Sequence, residues 1–436
     1  MRRSSELSSR STIQAPRQEA SILDRFYKDS SAVQQLRVGP LAPHLDSFAR
    51  VLAEQGYADI TARQKLNLIA DLSKWLKRRN LHPSQLNEVH AKKFLSDRRQ
   101  RGFRKNRGHK VTLQQFLDHL RGNSVIAEAV SSVDDSPMAH IQNDYALFLL
   151  RERGLAEATL VSYSAALQKF LEDYTRRHQG ILNLDALGPK DVSQFVIKYT
   201  QRANRKQAQV MTSVLRSFFR YLHLKGEIDI DLAACVPSVP FWRLSTIPKF
   251  LPPSDVERLL ESCDEKTPTG RRNHAILLLL ARLGLRAGEI VKLTLDDLDW
   301  DAGEIQIKGS KRTGRERIPI PQDVGEALVK YLYGRPRCKT RRIFICMKAP
   351  HRGFANASCV SSIVARALTR CKLDPPLKGA HLLRHSLATK MLRSGASLSE
   401  IGDVLRHQNP NTTQIYAKCD VEGLRDLAQP WPRRWA

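Results

Sequence analysis

His381-Leu382-Leu383-Arg384-His385, Leu405-Arg406-His407 and Gln414-Ile415-Tyr416-Ala417-Lys418 are the segments on which the reading of this chain turns. His381 and Arg384 stand three apart, so on one helix they leave from the same face. His407 precedes Tyr416 by nine residues, with the breaker Asn409-Pro410-Asn411 between them. That spacing predicts a helix, a turn and a second helix, which folds His407 and Tyr416 back toward one point. Two cations, an imidazole and a phenol converging there suit a phosphodiester.

The rest of the chain is consistent with a phosphate-bearing partner. Lys and Arg number 71 against 44 Asp and Glu, a formal charge of +27. A field of that size favours a polyanion, and nucleic acid is the usual one. An anionic membrane surface fits less well, because no basic amphipathic terminal helix stands out. The apolar run Ala275-Ile276-Leu277-Leu278-Leu279-Leu280-Ala281 is too short to span a bilayer and reads as a buried helix. Met1-Arg2-Arg3-Ser4-Ser5 lacks the apolar stretch of a secretory signal. The seven cysteines are odd in number and form no C-x-x-C pair, so free thiols in a reducing cytosol are expected rather than disulfides or a zinc site. No metal and no cofactor is called for.

A length of 436 residues exceeds one compact core and predicts several domains. Residues 1–40 are Ser-, Arg- and Gln-rich and read as a flexible basic arm. In the segment 41–130, Leu45, Phe48, Val51 and Leu52 share one helix face, Gly56 ends that helix, and Thr61 is placed to cap the next. Residues 138–238 repeat the plan. Gly56/Gly154 and Thr61/Thr159 share an offset of 98, and Leu86/Leu187 and Phe94/Phe195 one of 101. Either one helical module has been duplicated, or two short bundles look alike by chance. A Pro-rich linker over 239–250 leads to a domain over 251–436. There Ser254 and Glu257 have the spacing of a capping box. Strand-like runs at 304–308 and 317–321 flank a basic, Gly-bounded turn, with helices expected at 324–332 and 360–368.

Leu285-Arg286-Ala287-Gly288-Glu289-Ile290, Lys311 in the hairpin turn, His381-Leu382-Leu383-Arg384-His385, Leu405-Arg406-His407 and Tyr416 together resemble the tyrosine recombinases, the phage-integrase family. The resemblance is strong over about 250–425 and weaker over 140–245. It implies a multidomain fold: all-α N-terminal modules, one a SAM-like core-binding bundle over 138–238, then a mostly helical, mixed α/β catalytic domain with a small antiparallel sheet. It also implies six catalytic residues: Arg286, Lys311, His381, Arg384, His407 and the nucleophile Tyr416. The two arginines would hold a phosphate and His407 would hydrogen-bond it. His381 would take the tyrosine proton, and Lys311 would protonate the departing 5′-oxygen.

The implied activity is site-specific DNA cleavage and rejoining through a 3′-phosphotyrosine, in the integration or excision of a mobile element. The implied partners are double-stranded DNA with specific core sites and three further protomers in a tetramer, or sister recombinases, at the bacterial nucleoid in the cytoplasm. A type IB-like topoisomerase and a non-catalytic DNA-binding homologue are the alternatives.

Blander roles stay open for single residues. Arg286 or Lys311 alone could be a backbone clamp, Lys308 and Arg312 compete with Lys311, and Tyr416 alone could be a core tyrosine. His385 reads as structural, and Glu289 as the group that fixes the helix bearing Arg286. Arg406 stands where the family shows glycine, which alters local packing and removes no reactive group.

Overall fold

The computed structural model describes residues 22–27, 29–103, 106–128, 136–240, 247–308, 314–419 and 425. Among these the chain is mostly helical, with one three-stranded antiparallel sheet. They form two compact units. One joins the residues up to Glu128 with those from 247 onward, and the other holds those from 136 to 240.

The N-terminal part of the first unit contains α1 (Ile22–Phe26), α2 (Ser30–Leu36), α3 (Leu45–Glu54), α4 (Asp59–Arg78), α5 (Glu88–Gln100) and α6 (Arg107–Gly122). Phe48, Leu66, Leu72, Trp75, Phe94 and Phe116 fill its core. A flexible arm is expected to reach residue 40, yet α1 and α2 bury Leu23, Phe26, Val33 and Leu36 in that same core. Each pair is three residues apart, so one helical turn presents both apolar groups together. Fully burying a side chain of this kind is worth roughly 2 kcal/mol, enough to order a short segment.

The second unit consists of α7 (Pro137–Arg151), α8 (Glu157–Arg177), α9 (Pro189–Arg202) and α10 (Arg205–Lys225) around Tyr145, Leu167, Phe170, Phe195 and Phe218. Its helices pair in the same order as α3 to α6: first on second, second on fourth, third on fourth. Helices α4 and α8 start at Asp59 and Glu157, two residues before Thr61 and Thr159, so neither threonine is a cap. The acidic first-turn residues complement the helix dipole instead.

The C-terminal part of the first unit contains α11 (Pro253–Glu261), α12 (Pro268–Arg282), α13 (Ala287–Lys292), β1 (Leu298–Asp299), β2 (Glu304–Lys308), β3 (Arg315–Pro319), α14 (Gln322–Tyr333), α15 (Ala357–Arg370), α16 (Ala380–Arg393), α17 (Leu398–Val404) and a 3-10 helix over Pro410–Cys419. In the sheet Ile305 pairs with Leu298 and Ile318, and Ile307 with Glu316. Strand alternation turns Ile305 and Ile307 onto the core, where α12 is buried from Ala275 to Ala281. The chain enters this region pinned to α16, since the Leu251 N–H donates to Ser386 Oγ at 2.8 Å.

Ser254 and Glu257 make no capping box. Pro253 takes the first helical position, where its missing N–H costs nothing, and Glu257 is bound in bidentate fashion by Arg282 at 2.8 and 3.0 Å. The two parts of this unit also touch. The His351 N–H donates to Gln55 C=O at 3.1 Å, Lys339 pairs with Glu54 at 2.8 Å, and the His351 ring occupies the space that a side chain at Gly56 would need. Among the described residues, no helix is long and apolar enough to cross a membrane.

Candidate active site

Arg286 caps α13. Its extended backbone (φ −77°, ψ 146°) starts the helix, and its N–H donates to Glu289 Oε2 at 2.7 Å. The guanidinium of Arg286 donates to Glu289 Oε1 at 2.8 Å and to the Arg406 carbonyl at 3.0 Å. Thus a residue of the 284–289 turn is tied to the segment that carries His407. Arg384, on α16, reaches the same segment from the other side. It is 3% exposed, and its guanidinium donates to the carbonyls of Gly284 and Leu405. Burial first, then Arg286 and Arg406, push its pKa down to about 10, which leaves it charged at neutral pH.

Arg406 has a backbone φ of +56°, in the left-handed region where a glycine would be unstrained. Its guanidinium lies against Glu289 at 3.1 Å and near Glu316 of β3 at 3.7 Å. The chain therefore exchanges backbone ease for a buried ion pair. Burial opposes ionisation of Glu289, but the Arg286 amide and the two guanidiniums together hold its carboxyl below the usual range. Glu289 does more than fix the helix bearing Arg286. It orients both Arg286 and Arg406.

The segment after α17 departs from the expected second α-helix. Asn409 Oδ1 accepts from the Asn411 N–H at 2.9 Å, its carbonyl accepts from Thr412 at 2.8 Å, and the chain winds on as a 3-10 helix. The tight turn still returns the two residues to one place: the His407 and Tyr416 rings are parallel within 1°, with centroids 6.4 Å apart. Thr413 Oγ1 shares a 2.7 Å hydrogen bond with His407 Nδ1. Burial, then Arg384 and Arg286, push the His407 pKa down to about 4, so its ring is neutral at pH 7.

Tyr416 is 1% exposed and packs with Ala388, Ile401 and Leu405. Burial pushes its phenol up to about 12. Its hydroxyl meets the ring of His385, Oη to Nδ1, at 2.8 Å. His381 is exposed on the first turn of α16, and the His381 and His385 ring centroids are 6.3 Å apart.

A cleft of ≈ 570 Å³ opens among Arg286, Glu289, Lys308, Glu316, His381 and Arg406. Lys308 pairs there with the buried Asp297 at 3.3 Å. Lys311 and its competitor Arg312 lie outside the described residues. Arg286, Arg384, His407 and Tyr416 meet around the 405–407 segment, as the resemblance implies, and His381 borders the same cleft as Arg286. The contact that the spacing does not show is that of His385 with the Tyr416 hydroxyl. The four-residue step from His381 to His385 places both imidazoles on one helix face.

Comparison with known proteins identifies the family. The Phage integrase family matches residues 249–422, and the phage integrase N-terminal SAM-like domain matches 143–226. A putative integrase/recombinase of Sinorhizobium fredii is 44% identical over 411 residues, 93% of this chain and 98% of its own. The tyrosine recombinase XerD of Listeria innocua is 32% identical over 66% of this chain and 97% of its own. Among solved structures, the XerH site-specific recombinase in a post-cleavage complex with its palindromic substrate superposes with a TM-score of 0.53 at 20% identity, over 73% of this chain and 94% of that one, a likeness of fold. The chain belongs to the phage-integrase family of tyrosine recombinases.

Proposed function

We propose that this recombinase cleaves and rejoins double-stranded DNA at specific core sites through a covalent 3′-phosphotyrosine on Tyr416, and that it serves the integration or excision of a mobile element. The observation that carries the reading is the meeting of Arg286, Arg384, His407 and Tyr416 around the Leu405-Arg406-His407 segment. The integrase/recombinase naming of the relative that spans nearly the whole chain supports it, as does the DNA substrate in the XerH complex.

Attack on a phosphodiester adds negative charge to the non-bridging oxygens. Two guanidiniums whose orientation is already set by Glu289 and by main-chain carbonyls favour that transition state over the ground state. The pairing of Thr413 with His407 Nδ1 leaves the other ring nitrogen of His407 for a phosphate oxygen. His381, exposed at the cleft, is the second imidazole for the phosphate. The phenoxide is a tolerable leaving group, so the phosphotyrosine conserves the bond energy and the step reverses. Lys311, by resemblance, protonates the 5′-oxygen. The residues named supply charge, nucleophile and proton transfer by themselves.

The described cores over 23–126, 145–236 and 251–416 support a division into an extra helical module that takes in the 22–36 segment, a core-binding module and a catalytic domain. The DNA-bound assembly would be a tetramer, by resemblance. The test is a nicked duplex carrying the site. The protein is expected to form an adduct that survives denaturation, and Tyr416→Phe to form none. An adduct in Tyr416→Phe would assign the nucleophile elsewhere. Relaxation of supercoils without recombinant product would favour a topoisomerase.

A further inference from the structure

We infer that His385 is a further catalytic residue, which takes the Tyr416 proton through Nδ1 as the phenol oxygen attacks phosphorus. The inference rests on the reading of Tyr416 as nucleophile. It begins from what surrounds that hydroxyl. At 1% exposure Tyr416 is closed to bulk water, and the imidazole of His385 lies 2.8 Å from its oxygen with ring centroids 5.7 Å apart. A phenol whose ionisation burial opposes needs an acceptor within hydrogen-bond reach. His385 is placed to be that acceptor.

The ring is unprotonated and so free to accept, and its depressed pKa makes it a weak base in the resting site. Burial first, then the neighbouring His381 and Arg384, push its pKa down to about 4, so the imidazole is neutral at pH 7 and carries one free lone pair. With the ring proton on Nε2, the Tyr416 hydroxyl donates to Nδ1. As the Tyr416 Oη–P bond forms, the P–O5′ bond breaks. The phenol proton moves to Nδ1 and makes an imidazolium, and the departing 5′-oxygen takes its proton from elsewhere in the site. When the strand is rejoined, the imidazolium returns the proton to the leaving phenoxide. The developing charge on the phosphoryl oxygens stabilises the imidazolium during the step. The proton-accepting role thereby moves from His381 to the imidazole one helical turn further along α16.

Position is what makes this site legible in three dimensions. His381, Arg384 and His385 come from one helix, yet only the return of the 3-10 helix decides which imidazole meets the nucleophile.

The test is single-turnover cleavage of a nicked site by the full chain. His385→Asn keeps an acceptor oxygen near the place of Nδ1 but cannot take up the proton, and His385→Gln is the second variant should the first fold poorly. DNA binding serves as the check on folding. Cleavage is expected to fall about 100-fold, at the lower end of what general base catalysis contributes. The deficit should shrink at least about 10-fold when Tyr416 is replaced by a ring-fluorinated, more acidic tyrosine, because a more acidic phenol depends less on a base. A deficit under about 3-fold, faster cleavage, or a deficit of equal size with both nucleophiles would overturn the inference. Tyr416→Phe, run beside them, separates the two claims. If it forms no adduct while His385→Asn cleaves normally, only the role of His385 fails; if it still forms the adduct, the nucleophile itself is misassigned.

Discussion

Glu289 receives the Arg286 amide, the Arg286 guanidinium and the Arg406 guanidinium, all within 3.1 Å, at a site that is largely buried. Removing it leaves two cations facing each other without their counter-charge, so Glu289→Ala should cost about 3 kcal/mol of stability, in the range for breaking one side of a buried ion pair. Cleavage should fall with it, because Arg286 loses its fixed direction. The pH dependence follows from the depressed carboxyl. Its stabilising contribution is complete above the ordinary glutamate value of 4.5 and disappears as the pH falls through the lower folded-state value. Melting of wild type and Glu289→Gln across pH should therefore give curves well separated at neutral pH that converge in acid. A constant gap down to the lowest pH would show that shape rather than charge sets the difference.

At the scale of elements, α17 and the 3-10 helix act as a bracket for two rings. The bracket closes through Thr413, which is 2% exposed and bound to His407. Thr413→Val keeps the shape and removes the hydroxyl. It should cost about 1 kcal/mol of stability, the typical worth of one hydrogen bond. Cleavage should slow about 10-fold, because a misplaced donor loses much of its effect on the transition state. Equal stability with unchanged single-turnover rate would mean that packing alone orients His407. The nine-residue spacing of His407 and Tyr416 around Asn409-Pro410-Asn411 announces this bracket. Its tight winding after Asn409 does not follow from periodicity, since an Asx turn competes locally with the α-helical start.

For the whole molecule, the two helical modules give a matched pair of glycines. Gly56 and Gly154 lie 98 residues apart and both sit in the left-handed region, at φ +77° and +59°. A side chain at Gly154 would meet nothing within 4 Å, whereas one at Gly56 would lie 2.2 Å from the His351 ring. Gly154→Ala should therefore cost only the backbone strain, about 1 kcal/mol. Gly56→Ala should cost more and should free the 346–353 segment from Gln55, read as faster amide exchange there. Equal melting shifts for the two variants would show that the contact between the N-terminal module and the catalytic region contributes nothing. The +27 charge belongs to this scale as well, since it sets attraction to a polyanion without placing any one residue.

The sequence by itself determined the class of the fold and the family to which the chain belongs. Helical periodicity, two alternating strands and the ordered spacing of Arg286, His381, Arg384, His407 and Tyr416 are local or pattern properties, and they survive without coordinates. It also carried the repeat of helix stops at Gly56 and Gly154. The tertiary structure decided three things that depend on groups distant in sequence. The 22–36 segment packs into a core instead of staying free. Arg406, in place of a glycine, is held by Glu289 from 117 residues upstream. And His385, rather than its neighbour one turn earlier, meets the tyrosine hydroxyl. Each is a contact between separate elements, and spacing along one helix fixes only which face a side chain leaves from, not what the rest of the chain brings to it.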